Sequence, residues 1–581
     1  MESMLTLSPF VRAQAGPATD RTLAWAVFFC LLAVYVATFA GLPENPDAEV
    51  EFQTTSALVR RQSFALGGTP ESDALVAVTH QGRTGFNVRQ GGPGREHESF
   101  SWSGVAQPLV AFPLYVAGAF VRQFFPQIEA RHQATQHLGV PRSEYFEHLF
   151  VGLRNPLLGA LTGALLVLAS RRAGARRLHA ALCGLSYGLC TYAWPQARGT
   201  LSDVQATAAL FLAFVLAQSV LMRAENGRAQ KLGELLGFGL ALGAAFLTRP
   251  VLAPGVAVLA VFFLVRLHQE ERGAARAFPL RTLTLAFLPA LLCLGLYLFT
   301  NWRRFGDPLE AGYGGVVGLS WFLRAPWQGL LGVTVSPGSG LVWYAPGLVL
   351  CLPWLVHCLK RREYALPSLV LGMVLALGVP HALIPSWHGA WSYGPRYLLP
   401  LLPFLWFPLG VALGLLVDRA GTRPAACAVL FSGLVPALGG VLVEYTTQLD
   451  LALKGARLEW PSPRAPAAED PAAFELRERV LDDERFVRTK FDWRFAAPWA
   501  HWRIFRHRVA GLGESFSMRE LFYLEREESY TPEWERARGF RHLAWVDLAA
   551  RLGGPTWLGP LLVTALLLVS LTLLLRAAGE A

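Results

Sequence analysis

The sequence predicts an all-α polytopic membrane protein with about twelve transmembrane helices and interfacial helices in its first outer loop, and three observations predict it. Of 581 residues, 53% are hydrophobic and only 16% are charged, which is too apolar for a soluble chain of this length. Apolar runs of about 20 residues, the length a helix needs to cross the hydrocarbon core, recur along the chain. The connections between them are alternately arginine-rich and motif-rich, as two opposite membrane faces require.

The apolar runs are 22 to 42, 148 to 170, 178 to 196, 201 to 222, 233 to 249, 250 to 267, 281 to 302, 341 to 359, 365 to 385, 396 to 417, 424 to 446 and 557 to 577. The fifth and sixth are separated only by the tight break Thr248-Arg249-Pro250. A further run, Val105 to Phe125, is interrupted by Pro108, Pro113 and Arg122 and reads as an interfacial or re-entrant helix.

Orientation follows from the cations, because short cytoplasmic loops retain Lys and Arg. With the N-terminus inside, five connections are cytoplasmic. They carry Arg171, Arg172, Arg176 and Arg177; Arg223, Arg228 and Lys231; Arg266, Arg272 and Arg276; Lys360, Arg361 and Arg362; and Arg419 and Arg423. A spanning Val105 to Phe125 would invert every later loop and turn these clusters outward. The net charge of +10 is therefore mainly a topology signal and calls for no nucleic-acid partner.

This divides the chain into a cytoplasmic N-terminus (1–21), a transmembrane region (22–446) with an outer loop at 43–147, an outer segment (447–555), and a last helix with a cytoplasmic C-terminus (556–581). All seven cysteines fall in apolar runs, so no disulfide framework or CxxC metal site is indicated. The first run is too long for the core of a signal peptide and reads as a retained helix, although small residues near Ala40 leave cleavage open. Gly91, Gly92 and Gly94 mark turns, since no Lys-Ser or Lys-Thr follows to make a phosphate loop. In the outer segment a helical stretch is expected near Ala473 to Val487.

The outward connections hold the chemistry. Asn45-Pro46-Asp47-Ala48-Glu49-Val50-Glu51 follows the first helix with three carboxylates in five residues. On a helix, Asp47 and Glu51 share a face and Glu49 points elsewhere. A carboxylate there suits deprotonation of a hydroxyl, while an acidic first turn favoured by the helix dipole explains the same residues. Asp203 stands at the first turn of a membrane helix, either as a functional intramembrane acid or as a first-turn acid behind a Ser202 cap.

Arg249, Arg303, Arg304 and Arg396 break the cation rule by lying at the outer face. His388-Gly389-Ala390-Trp391-Ser392-Tyr393-Gly394-Pro395-Arg396-Tyr397 combines a cation, an imidazole and aromatic faces, suited to phosphate and sugar or to an interfacial aromatic belt with a snorkelling arginine. Asn301 to Gly314 and Ser336 to Gly340 form turn-rich connections that packing explains as well as catalysis does.

Taken together, these residues resemble the GT-C superfamily of multispanning glycosyltransferases, in particular the bacterial relatives of protein O-mannosyltransferases and of the lipid A aminoarabinose transferase. The resemblance covers about residues 20 to 418. It rests on Asp47 to Glu51, Gln107-Pro108-Leu109 to Pro113-Leu114-Tyr115, Ser202-Asp203, Thr248-Arg249-Pro250, Arg304-Phe305-Gly306-Asp307-Pro308 and Ser392 to Tyr397. It departs from the family where Ala48 separates Asp47 from Glu49, where Asp203 stands in place of a frequent Glu, and beyond Leu451.

The resemblance implies transfer of a monosaccharide from a polyprenyl-phosphate carrier to a lipid, protein or glycan acceptor, with inversion, at the periplasmic face of a bacterial inner membrane. It implies Asp47 as the base, with Glu49 and Asp203 as further acids. Arg249, Arg304, His388, Tyr393, Arg396 and Tyr397 would then contact substrate. Asp203 or Glu49 would orient a sugar hydroxyl or bind a divalent metal, although no spacing compels a metal. The rival readings are a lipid-linked sugar flippase or transporter, a polysaccharide polymerase or ligase, and a non-catalytic partner with the same scaffold. Candidate charges at helix ends rather than at the midplane, and the lack of a clear internal repeat, favour the enzyme.

Overall fold

The computed structural model describes residues 17–80, 88–137, 139–273, 280–310, 326–389, 392–462, 471–532, 540 and 542–579. Among them, eight helices are long and apolar enough to cross a membrane: Thr19–Thr38, Tyr145–Arg172, Ser202–Glu225, Pro250–Glu270, Leu280–Phe305, Ala365–Leu383, Arg423–Leu442 and Leu558–Ala578. Two of them in particular turn bare hydrocarbon outward. Leu291, Leu292 and Phe299 on one helix and Leu561, Leu568 and Leu575 on another are more than half exposed, a surface that only lipid satisfies. The chain is thus a multi-pass membrane protein.

Four of the twelve expected runs differ. Residues 233 to 249 form the shorter apolar helix Leu232–Thr248, and 396 to 417 contain Leu402–Leu416. Residues 178 to 196 divide into Arg177–Leu189 and Ala193–Arg198. Residues 341 to 359 divide into Leu341–Tyr344, a 3-10 turn Pro346–Cys351, and Leu352–Arg361. Hydropathy does not register these breaks. Each of the last two pieces carries a proline in its first turn, where the missing N–H costs nothing and a new helix can begin.

Val105 to Phe125 becomes Ala106–Arg122, bent by 104° from Pro126–Gln133. Val110, Phe112, Val116 and Phe120 are exposed on it, while Ala111, Tyr115 and Gly118 are buried. That division suits a helix lying at the bilayer surface.

The first helix sets the two ends. Near its start, Asp20 accepts from Arg171 Nε at 2.9 Å, and Arg176 pairs with Asp418 at 2.7 Å, so charged connections gather there. Its residues Leu31 and Tyr35 pack with Ala160, Ala164 and Ala437, and Ser570 Oγ of the last span donates to the Ala26 carbonyl at 2.9 Å. Beyond its far end the chain turns into the helix Pro46–Arg61. The segment after Leu442 builds its own small core from Leu451, Phe495, Ile504, Phe516 and Phe522, and the expected helix near Ala473 to Val487 is Pro471–Phe491.

The long loop after the first span carries a three-stranded antiparallel sheet, Ala65–Leu66, Ser99–Ser101 and Val88–Gln90, with the middle strand last in chain order. Arg304 latches it to the membrane helices by donating to the carbonyls of Ser101 at 2.8 Å and Ser103 at 3.3 Å. Gly92 N donates to the Arg304 carbonyl at 3.0 Å, and a Cβ at Gly92 would lie 2.0 Å from the Phe305 carbonyl oxygen, so only glycine fits. Arg304→Met removes a charged donor and strands buried carbonyls, and is expected to cost about 2 kcal/mol or more. A lowered melting temperature with faster proteolysis between residues 88 and 103 would show it.

Candidate active site

The helix Pro46–Arg61 begins where it does because Asn45 Oδ1 accepts the Ala48 N–H at 2.9 Å and Pro46 fills the first position. Asp47 therefore stands in the first turn, and Arg396 Nη2 reaches its Oδ2 at 3.6 Å. Arg249 caps the helix Leu232–Thr248 with extended backbone just before Pro250, which directs its side chain onto Asp203 as an ion pair. Both guanidiniums lie against the ring of Tyr397, at 5.4 Å for Arg249 and 4.9 Å for Arg396. Four chain segments thus bring two carboxylates, two guanidiniums and a phenol together at the ends of apolar helices.

The electrostatics fit an acid–base site. Burial raises the Asp47 carboxyl above its ordinary range, against the pull of Arg396 and Arg249 and with the help of Asp203. Arg396 keeps donors in hand: Nη2 donates to the Tyr397 hydroxyl at 3.2 Å, and its buried Nε has no hydrogen-bond partner among the described residues. Gly389, at φ +75°, lies against the Arg396 stem, where a Cβ would meet Cγ at 3.0 Å.

The other expected site residues fall elsewhere. Glu49 occupies another face of its helix, where it accepts from Gln53 Nε2 at 2.8 Å and meets His148 Nε2 at 3.4 Å. Arg304 is the loop latch, its side chain also donating to Asn301 Oδ1 at 2.8 Å. Tyr393 is a packing residue whose hydroxyl donates to the Pro436 carbonyl at 2.5 Å. His388 lies between Trp387 and Phe486, and burial pushes its imidazole down to about 3, so it is uncharged. Ser202 does not cap its helix; Leu201 holds that position with no side-chain bond. Ala390, Trp391 and the 311–314 part of the fourth connection lie outside the described residues.

No group of three or more His, Cys, Asp or Glu side chains among the described residues is arranged to hold a metal ion. Asp203 instead faces Arg249 and Glu49 faces His148.

Two residues outside the expected site residues have shifted acidities. Lys490 of the outer segment is buried, donates to the Tyr445 hydroxyl at 2.6 Å and is pulled down to about 7 by burial; nothing local in the sequence marks it. Glu51 shares the Asp47 face, a register the sequence shows. It is buried beside Gln107, Arg154 and Ser202, and burial lifts its carboxyl to about 7. Because the folded protein favours the neutral acid, this group's contribution to stability is complete below its unfolded value and is lost as pH rises through about 7. Glu51→Gln should shrink the fall in melting temperature between pH 5 and pH 8; an unchanged fall would show that Glu51 does not titrate there.

Neither a protein-family model nor a curated protein sequence matches the chain. Among solved structures, it is similar to ArnT from Cupriavidus metallidurans bound to undecaprenyl phosphate, at 15% identity and a TM-score of 0.39, covering 94% of this chain and 77% of that one. It is also similar to the oligosaccharyltransferase AglB from Archaeoglobus fulgidus in complex with an inhibitory peptide and a dolichol-phosphate, at 11% identity and a TM-score of 0.41, covering 79% of this chain. The chain spans 59% of the length of that archaeal protein. Similarity of this degree assigns no residue role, and the roles below rest on the geometry.

Proposed function

We propose that the chain is a glycosyltransferase that moves a monosaccharide from a polyprenyl-phosphate carrier to an acceptor hydroxyl, with inversion, at the periplasmic face of a bacterial inner membrane. The observation that carries the reading is the convergence of Asp47, Arg396, Arg249, Asp203 and Tyr397 at the ends of apolar helices. A sugar on a polyprenyl phosphate stays in the bilayer, so its enzyme needs a polar site at headgroup depth beside an apolar surface.

In this mechanism Asp47 accepts the proton of the acceptor hydroxyl. The hydroxyl oxygen attacks the anomeric carbon from the face opposite the phosphate, the carbon–oxygen bond to phosphate breaks, and the electron pair leaves with the lipid phosphate. Arg396, with its uncommitted Nε, meets the charge that develops on the departing oxygen, and Arg249 assists. Asp203 holds Arg249 in place, and Tyr397 offers both guanidiniums its ring face and accepts one hydrogen bond from Arg396 Nη2, which leaves Nε for the phosphate.

Asp47→Asn is expected to lower transfer from a radiolabelled polyprenyl-phosphate monosaccharide by about 10²–10⁴-fold in protein that still inserts and folds. Activity at the wild-type level would remove Asp47 as the base. Arg396→Lys keeps the charge but loses the planar fork. It should lower kcat more than it raises the donor KM, because the interaction strengthens as the phosphate leaves.

A further inference from the structure

A cavity of 520 Å³ opens between the helices Ala253–Gly273 and Ala365–Met373, and the proposed transfer chemistry makes no use of it. Its walls are Ala257, Val258, Val261, Phe262 and Val265 from one helix and Ala365 and Leu369 from the other. Its polar residues are Arg266 and Gln269 from the C-terminal part of the first helix, Arg362, Glu363 and Tyr364 from the turn that leads into the second, and Ser368 from the second helix's first turn. In antiparallel neighbours these ends coincide, so the cavity is polar at one end and hydrocarbon along its length. The volume is within the range of about 300–1,000 Å³ typical of ligand sites.

We infer that this cavity holds an anionic phospholipid, with the headgroup phosphate at Arg362 and Arg266 and an acyl chain along the Val258–Val265 wall. Charge complementarity selects the headgroup. Arg362 is exposed at the mouth, Lys360 and Arg361 precede it on the last turn of their helix, and Glu363 is the opposing acid in the lining. Arg266 is buried and donates to Gln269 Oε1 at 2.9 Å and Glu270 Oε1 at 2.8 Å, while its Nε has no hydrogen-bond partner among the described residues. The helix Ala365–Met373 starts at this mouth with no side-chain cap, so its first N–H groups add positive potential there.

Shape selects a membrane lipid over a soluble anion. Val261 is 57% and Val265 49% exposed, which leaves the groove's apolar length open sideways to the bilayer. Basic pockets between transmembrane helices at the cytoplasmic side bind anionic headgroups in this way. By the arginine distribution the mouth faces the cytoplasm, opposite the Asp47 cluster, so the inference is independent of the transfer chemistry.

The test is native mass spectrometry of the full-length protein released from nanodiscs containing equal phosphatidylglycerol and phosphatidylcholine. The wild type should retain one phosphatidylglycerol under activation that strips phosphatidylcholine. Arg362→Gln should lower that retention about tenfold, Arg362→Lys should keep most of it, and Val261→Trp, which fills the cavity, should abolish it. Melting temperatures in detergent check that each variant is folded. Equal retention of the two lipids by the wild type, or wild-type retention by folded Arg362→Gln and Val261→Trp, would overturn the assignment. So would displacement of the retained lipid by undecaprenyl phosphate at equimolar amounts, which would make the groove a carrier site.

Discussion

The structure depends on how two aspartates and two arginines, Asp203 and Arg396 buried and Asp47 and Arg249 half-buried, are held at the ends of apolar helices. An isolated charge in such a place costs several kcal/mol, and each ion is tolerable only because an opposite one is within reach. Asp203 and Arg249 satisfy this as a closed pair. Asp47 and Arg396 satisfy it more loosely, at 3.6 Å, with Arg396 also turned toward the phenol of Tyr397. In the proposed reaction the looser pair is the one that opens to substrate, the arginine turning to the phosphate and the aspartate to the hydroxyl.

Much of the fold around this cluster keeps that geometry in place. Asn45 fixes where the helix bearing Asp47 begins. Arg198, buried, ties Glu44 at 2.5 Å to the Val441 carbonyl at 2.9 Å, which links the residues before that helix to the end of the span Arg423–Leu442. Gln196 Nε2 donates to Ser392 Oγ at 2.8 Å and to the Tyr393 carbonyl at 2.6 Å, so the turn before Asp203 also holds the loop that leads to Arg396. The side chains that touch substrate in this account are few, and the ones that position them come from the same outward connections.

The sequence made the membrane class readable because lipid selects on composition, and the signal accumulates over 20 residues at a time. It singled out Asp47, Asp203, Arg249 and Arg396, which the structure brings together, because charged residues at the ends of apolar runs need a reason, and Tyr397 because it adjoins Arg396. It did not separate Arg304, His388 and Tyr393 from them. Their residue types and loops match equally well, and only the direction of each side chain shows that Arg304 grips backbone carbonyls and Tyr393 reaches Pro436. The helical register did distinguish Glu49 from Glu51. Lys490 was illegible because it reaches Tyr445 from an outer segment whose packing leaves no local signature. Runs 178 to 196 and 341 to 359 looked like spans because hydropathy averages over breaks that the backbone obeys.

The central claim is that the Asp47–Arg396–Arg249–Asp203 cluster receives the phosphate of a lipid-linked sugar. The most direct measurement is an electron cryomicroscopy map of the full-length protein in nanodiscs saturated with polyprenyl phosphate. The account predicts phosphate density within hydrogen-bond reach of the Arg396 guanidinium, with the isoprenoid leaving along the apolar helix faces. Density for the phosphate at any other place, with the Arg396–Asp47 pair undisturbed, would contradict it.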